Sequence, residues 1–212
     1  MFFNNQVDPG LKTLDDEAIE PAENFKYLVS WISDSEHDFK VRKALAWIAC
    51  NKMRTVWISK LPPATKIRMF TATVESVLLY GSETWTMRKK LQKSVTGCYT
   101  RKLWTALNVH WQQNMNNEEL HGSLLRISET IRAWRLRSDG HSARYNEETA
   151  SKVLLWEPQH GHPNRGRPRT TYIDTIKADT GLDNTKEIRD AMLNQVVLKD
   201  FIRTAWDNTW PK

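Results

Sequence analysis

Apolar residues recur every three or four positions from Val41 to Leu107, and that pattern is interrupted at Pro62-Pro63 and at Gly81. A period near 3.6 calls for helices that each bury one face. Ser33, Asp34 or Ser35 can cap the first helix, whose apolar positions are Val41, Leu45, Ile48, Ala49, Met53 and Val56. It is expected to end near Lys60, because a residue preceding proline is pushed out of the helical region. Pro63 suits the first turn of a second helix, in which Ile67, Phe70, Thr71, Val74, Val77 and Leu78 share a face until Gly81 stops it. A third helix, about Arg88 to Asn108, carries Leu91, Val95, Cys98, Tyr99, Leu103 and Leu107. The short loops between them predict antiparallel packing in one helical unit.

The flanks read differently. Residues 1–33 carry turn signals at Pro9-Gly10 and Pro21, then an aromatic and β-branched run from Phe25 to Ile32, as in short strands. Beyond Trp111, the polar segment Gln112 to Asn117 can separate two subdomains. A helix from about Ile127 to Arg144 follows, with Ile131 and Trp134 among Arg126, Arg132, Arg135, Arg137 and Arg144. The segment from Pro158 to Arg169 reads as a loop. Two last helices are expected over about Thr171–Thr180 and Thr185–Trp206, with Gly181 between them. The expected fold is mainly α, a helical bundle with a short N-terminal β-hairpin or strand region and additional C-terminal helices. Its segments divide as 1–33, 34–111 and 112–212.

Charge narrows the partners. The 212 residues carry a net charge of +6 with a pI of about 9.3, a balance that suits a polyanion. Ten tryptophans sit mostly at apolar helical positions, which points to core anchors more than to platforms for stacked bases. Two cysteines, Cys50 and Cys98, are too few for a disulfide framework, so a reducing, intracellular setting is expected, nuclear or cytoplasmic. The longest apolar run, Val77-Leu78-Leu79-Tyr80, is far short of a membrane span, and the early turn to polar residues does not resemble a secretory signal. No membrane partner is expected, and the oligomeric state is left open.

Three motifs stand in order: Phe25-Lys26-Tyr27-Leu28, then Leu78-Leu79-Tyr80-Gly81-Ser82-Glu83-Thr84-Trp85, then Arg165-Gly166-Arg167-Pro168-Arg169. Together they resemble the region that follows the polymerase palm in non-LTR (LINE-type) retrotransposon reverse transcriptases, over about Ile19 to Trp206. The resemblance implies that Phe25, Lys26, Tyr27 and Leu28 belong to a primer-grip strand and that residues 34–111 form a thumb. That family has glycine where this chain has Val29, and valine does not reach glycine geometry cheaply, so the turn differs or the copy has decayed. A plain edge strand fits the same residues.

In the second motif Gly81 ends a helix, Tyr80 and Trp85 can anchor the two sides of a bend in the core, and Ser82 or Thr84 can bond freed backbone groups. Glu83 is expected in a salt bridge. This describes a structural corner, not a reaction centre. Lys40, Arg42, Lys43, Lys52, Arg54 and Lys60 mark the first helix as basic on its outer face, able to follow a phosphate backbone; an ordinary solvated face is the alternative. Arg165, Arg167 and Arg169 around Gly166 can lie in a narrow minor groove, as in an AT-hook, or form a basic linker.

Catalytic groups are not spelled out. A reverse transcriptase needs clustered carboxylates for two metal ions, and Thr13-Leu14-Asp15-Asp16 lacks the aromatic that precedes the family's paired aspartates. The resemblance therefore implies magnesium only for a full-length polymerase, and no cofactor here. His141, Glu157, His160 and His162 do not spell out a zinc set. The expected function is that of a C-terminal polymerase fragment, without the palm, that holds template and primer (RNA, DNA or their hybrid). A stand-alone basic nucleic-acid-binding protein and an unrecognised enzyme are the other classes.

Overall fold

The computed structural model describes residues 26–27, 30–31, 34–122, 124, 126–145, 151, 153–156 and 170–207. Within them the protein is mainly helical. A minimal hairpin opens the fold: β1 (Lys26–Tyr27) pairs antiparallel with β2 (Ser30–Trp31), Lys26 opposite Trp31. Helix α1 (Ser35–Lys52) starts at Asp34, whose side chain accepts from the Glu36 amide at 2.9 Å. After a break at Met53 comes the short α2 (Arg54–Ile58), then α3 (Pro63–Phe70), a π-helical turn (Thr71–Glu75) and α4 (Ser76–Leu78). A 3-10 turn (Ser82–Thr84) leads to α5 (Lys89–Leu107), which Asn108 ends in the left-handed region. Next are α6 (Asn117–His121) and α7 (Ile127–Arg144), then α8 (Tyr172–Thr180), α9 (Thr185–Leu193) and α10 (Gln195–Asp207).

The inner face of α5 follows the sequence pattern, with Leu91, Val95, Cys98, Tyr99 and Leu103 buried and Leu107 partly so. Helix α1 does not. Its buried stripe is Asp38, Phe39, Arg42, Ala46 and Cys50, while Leu45 is 39% and Ile48 53% exposed. An apolar-period reading rejects a stripe that carries an aspartate and an arginine, yet here Asp38 sits inside because Ser30, Trp31 and Trp85 donate to it, with Arg42 paired beside it at 3.7 Å. Two expected helices also end early. The indole of Trp57 donates to the Cys50 carbonyl at 2.8 Å and the Lys66 ammonium to the Trp57 carbonyl at 2.6 Å, so the chain bends at Met53 instead of running on to Lys60. Near the C-terminus Asn194 accepts from the amides of Val196 and Val197 at 3.0 and 3.4 Å, capping α10 and splitting the expected Thr185–Trp206 helix.

The main core gathers the inner faces of α1 to α5 and continues past residue 112 through Leu120, Ile127 and Ile131. Two smaller clusters lie on the other side of α7: Ala133 and Leu136 with Leu198 and Ile202, and Ala143 with Leu155, Ile176, Ile188 and Met192. Helix α7 is thus the spine shared by both halves. Gly140 lets α10 come close, since a Cβ there would stand 2.2 Å from a Leu198 methyl.

The segment from Gly81 to Thr86 is a joint. Asp38, 0% exposed, accepts from the Trp85 indole at 2.9 Å, the Ser30 hydroxyl at 3.0 Å and the Trp31 amide at 3.1 Å. The Thr86 amide donates to the Ser35 hydroxyl at 3.0 Å, and Thr84 Oγ1 to the Gly81 carbonyl at 2.8 Å. From α7, Arg135 donates to the Trp85 carbonyl at 3.3 Å; from α8, the Tyr172 hydroxyl reaches the Glu83 carbonyl at 3.0 Å. Trp85 and Phe39 pack edge to face, centroids 5.9 Å apart. Gly81 makes this possible at φ +75°, where a Cβ would lie 2.9 Å from the Ser30 hydroxyl. Gly81→Ala should therefore lower stability by about 1–3 kcal/mol, combining left-handed strain with the lost Ser30 contact. Urea unfolding measures it, and an unchanged midpoint would contradict this account of the joint.

Candidate nucleic-acid interface

Lys40, Lys43 and Lys52 stand exposed on α1, and Arg54 on α2. Arg42 departs from that expectation. It is 4% exposed, its Nε lies 3.7 Å from Asp38, and its guanidinium sits 4.5 Å from the centre of the Tyr80 ring, so it serves the joint and not the outer face. Tyr80 in turn is 49% exposed, not a core anchor, whereas Trp85 is buried at 1%. Glu83 makes no ion pair among the described residues; its backbone carbonyl does the bonding. For Lys26 and Tyr27 the structure describes the strand backbone alone. Phe25, Leu28, Arg165, Arg167 and Arg169 lie outside the described residues, as does most of the 1–33 segment.

The structure adds cations that motif reading passed over. Between Asp38 and Glu118 the sequence holds fourteen Lys and Arg but only two acids, Glu75 and Glu83. Lys66 and Lys102 go inside with Arg42, and Glu75 is buried too. Ten cations stay exposed: Lys40, Lys43, Lys52, Arg54, Lys60, Arg68, Lys89, Lys90, Lys93 and Arg101. No fully exposed acid stands among residues 39–117, and only Lys90 of the ten has an ion pair with a described residue, to Glu36 at 3.5 Å. A surface so one-sided has a positive potential that the modest net charge of the whole chain conceals. The scarcity of acids over this stretch was the available signal.

Beside the joint lies an open cleft of about 830 Å³, its walls the β2 strand, the start of α1, the turn at Tyr80–Trp85 and one face of α7. Trp31, Tyr80 and Trp134 present aromatic surface to it, with Arg137 and Ser138 on the α7 side. Arg137 is exposed, and Trp134, Arg137 and Ser138 share a helical face at spacings of three and four.

Inside, the titratable groups are held for packing. Lys102, 0% exposed, donates to Cys98 Sγ at 3.2 Å and stands 4.0 Å from the Trp47 ring centre; burial lowers its pKa, with the Cys98 thiol working against that shift. Burial raises Glu75, against the Tyr99 hydroxyl that donates to it at 3.0 Å. Arg135 pairs with Asp179 beneath the joint. Among the described residues no group of three or more His, Cys, Asp or Glu is placed to hold a metal ion, and no helix is long and apolar enough to cross a membrane. In comparison with known proteins, no family model, curated protein or solved structure matches the chain.

Asp139 on α7 titrates well above an ordinary carboxylate. Burial pushes its carboxyl up to about 7; the Tyr172 hydroxyl at 2.9 Å and Arg135 work against that, while Asp179 and Glu83 add repulsion. Its second oxygen has no hydrogen-bond partner among the described residues. An unfolded carboxyl titrates near ~3.9, so the folded state keeps a proton that the unfolded chain has released. The stability from this group is fully present below about pH 4, falls as pH rises to about 7 and is flat above. Asp139→Asn, uncharged throughout, removes that component. Relative to this variant the wild type should lose a few kcal/mol between pH 5 and 8, because stability falls by ~1.4 kcal/mol for each step of one in pH below 7. Thermal unfolding across that range checks it; parallel curves would contradict it.

Proposed function

We propose that this chain is a nucleic-acid-binding segment of the kind that follows the palm in non-LTR retrotransposon reverse transcriptases, holding template and primer without performing polymerase chemistry itself. Support comes from the order of the three motifs and, above all, from ten exposed cations over residues 39–117 with no fully exposed acid among them. In this reading Lys40, Lys43, Lys52 and Arg54 bind phosphates from α1 and α2, joined by Lys89, Lys93 and Arg101 on α5 and Arg68 on α3. Lysine is a point charge on a flexible stem and reads a backbone, not a base sequence. Binding is then independent of sequence and driven by release of counterions. The arginines at 165, 167 and 169 supply a second, tethered contact. No catalytic residue and no resident metal is assigned.

The test is a salt series by fluorescence anisotropy on duplex DNA and an RNA–DNA hybrid. Replacing Lys40, Lys43, Lys52 and Arg54 by glutamine should reduce the slope of log affinity against log salt by roughly 2–4, at about 0.9 per lost phosphate contact, and leave the melting temperature unchanged. Arg42→Gln should instead lower the melting temperature. An unchanged slope in the fourfold variant would remove the surface from the proposal.

A further inference from the structure

We infer that the cleft beside the joint binds one unpaired nucleotide of a strand lying on the basic surface, its base against the aromatic wall and its phosphate at Arg137. This rests on the nucleic-acid reading above and names a site within it. The space of about 830 Å³ falls in the range of small-ligand pockets and exceeds what a single nucleotide requires. Its wall holds three tryptophan and tyrosine rings that are not buried away: Trp31 and Trp134 are half-buried and Tyr80 is half exposed.

These rings are held in place before any ligand arrives. The Arg42 guanidinium rests against the Tyr80 ring, and Trp31 packs edge to face on His37 with centroids 5.0 Å apart. The Trp31 amide is fixed by Asp38 at 3.1 Å, and Trp134 rides on the spine helix α7. A planar ligand therefore meets rigid aromatic surface and loses little to ordering.

Charge selects the ligand. Arg137, exposed, lines the cleft from α7. A cation on that wall favours a ligand with an anionic tail. Among the described residues that line the cleft the one acid is Glu83, whose backbone carbonyl accepts from Tyr172 and whose carboxylate has no ion pair with a described residue. A carboxylate can accept from an exocyclic amine, as on adenine or cytosine, and has nothing to accept from thymine but a ring N–H. The aromatic wall, the Arg137 cation and the Glu83 carboxylate are together the complement of an amine-bearing nucleotide.

The experiment compares the full chain on blunt duplexes, on duplexes with a short single-stranded overhang carrying 2-aminopurine, and on adenosine monophosphate. The wild type should bind the overhang about tenfold more tightly than the blunt duplex and quench the 2-aminopurine. Trp134→Leu and the exposed-site variant Arg137→Gln should each abolish most of that preference while leaving blunt-duplex affinity and its salt slope untouched. Glu83→Ala should remove the discrimination between 2-aminopurine and thymine overhangs. Equal wild-type affinity for overhang and blunt duplex would overturn the cleft assignment and leave the basic surface standing. Adenosine monophosphate bound as tightly as the overhang would overturn the strand assignment in favour of a free nucleotide. Failure of every nucleic acid to bind at low salt would overturn both this inference and the reading beneath it.

Discussion

A single buried carboxylate organises the first half of this protein. Asp38 is wholly shielded from water, and an ion in that position is tolerable only when its lone pairs are occupied. Its oxygens accept from two places in the chain, the hairpin through Ser30 and Trp31 and the distant turn through the Trp85 indole, and pair electrostatically with Arg42 of its own helix at 3.7 Å. Each donor is a condition on geometry. The rotation of α1, the placing of the hairpin across its start and the path of the chain after Gly81 must all be right together, or the charge is left unpaired. The same turn is gripped from the far side by Arg135 and Tyr172, so the α7–α8 layer is registered to the first core through polar contacts on the turn backbone.

This arrangement divides the cations into two populations. Arg42, Lys66, Lys102 and Arg135 are interior and bonded to carboxylates, carbonyls, a thiol or an aromatic ring. The rest of the basic residues of α1 to α5 point outward with almost no acids to neutralise them. Interior groups carry conformational constraint, and outward ones carry attraction for a polyanion. The aromatic cleft draws on both kinds: interior Arg42 braces the Tyr80 ring in its wall, and exposed Arg137 lines it from α7.

Much of the architecture was legible from periodicity. The inner face of α5, the opening of a helix at Pro63, the stop at Gly81 and the extent of α7 follow from spacing and from proline and glycine chemistry. What escaped has a common cause, since polar side chains set features that apolar patterns do not record. The phase of α1 is set by Asp38 and Arg42, its early end by the Trp57 indole and Lys66, and the division after Leu193 by the Asn194 side chain. The turn from Tyr80 to Trp85 was recognisable as a corner, but which of its aromatics goes inside depends on Asp38, which lies 47 residues before Trp85. For the candidate site the outward lysines of α1 were visible in sequence, the removal of Arg42 from that face was not, and the cleft needed three dimensions to exist.

The central claim is that Asp38 holds the joint, and the thermal unfolding of Asp38→Asn tests it most directly. Asparagine keeps the shape but supplies an amide where a carboxylate accepted several donors, and it removes the negative charge paired with Arg42. Breaking a buried pair costs about 3–5 kcal/mol, which for a domain of this size lowers the melting temperature by roughly 10 °C. That fall is the predicted result. A variant that melts within about 2 °C of the wild type would show that the joint does not depend on this carboxylate.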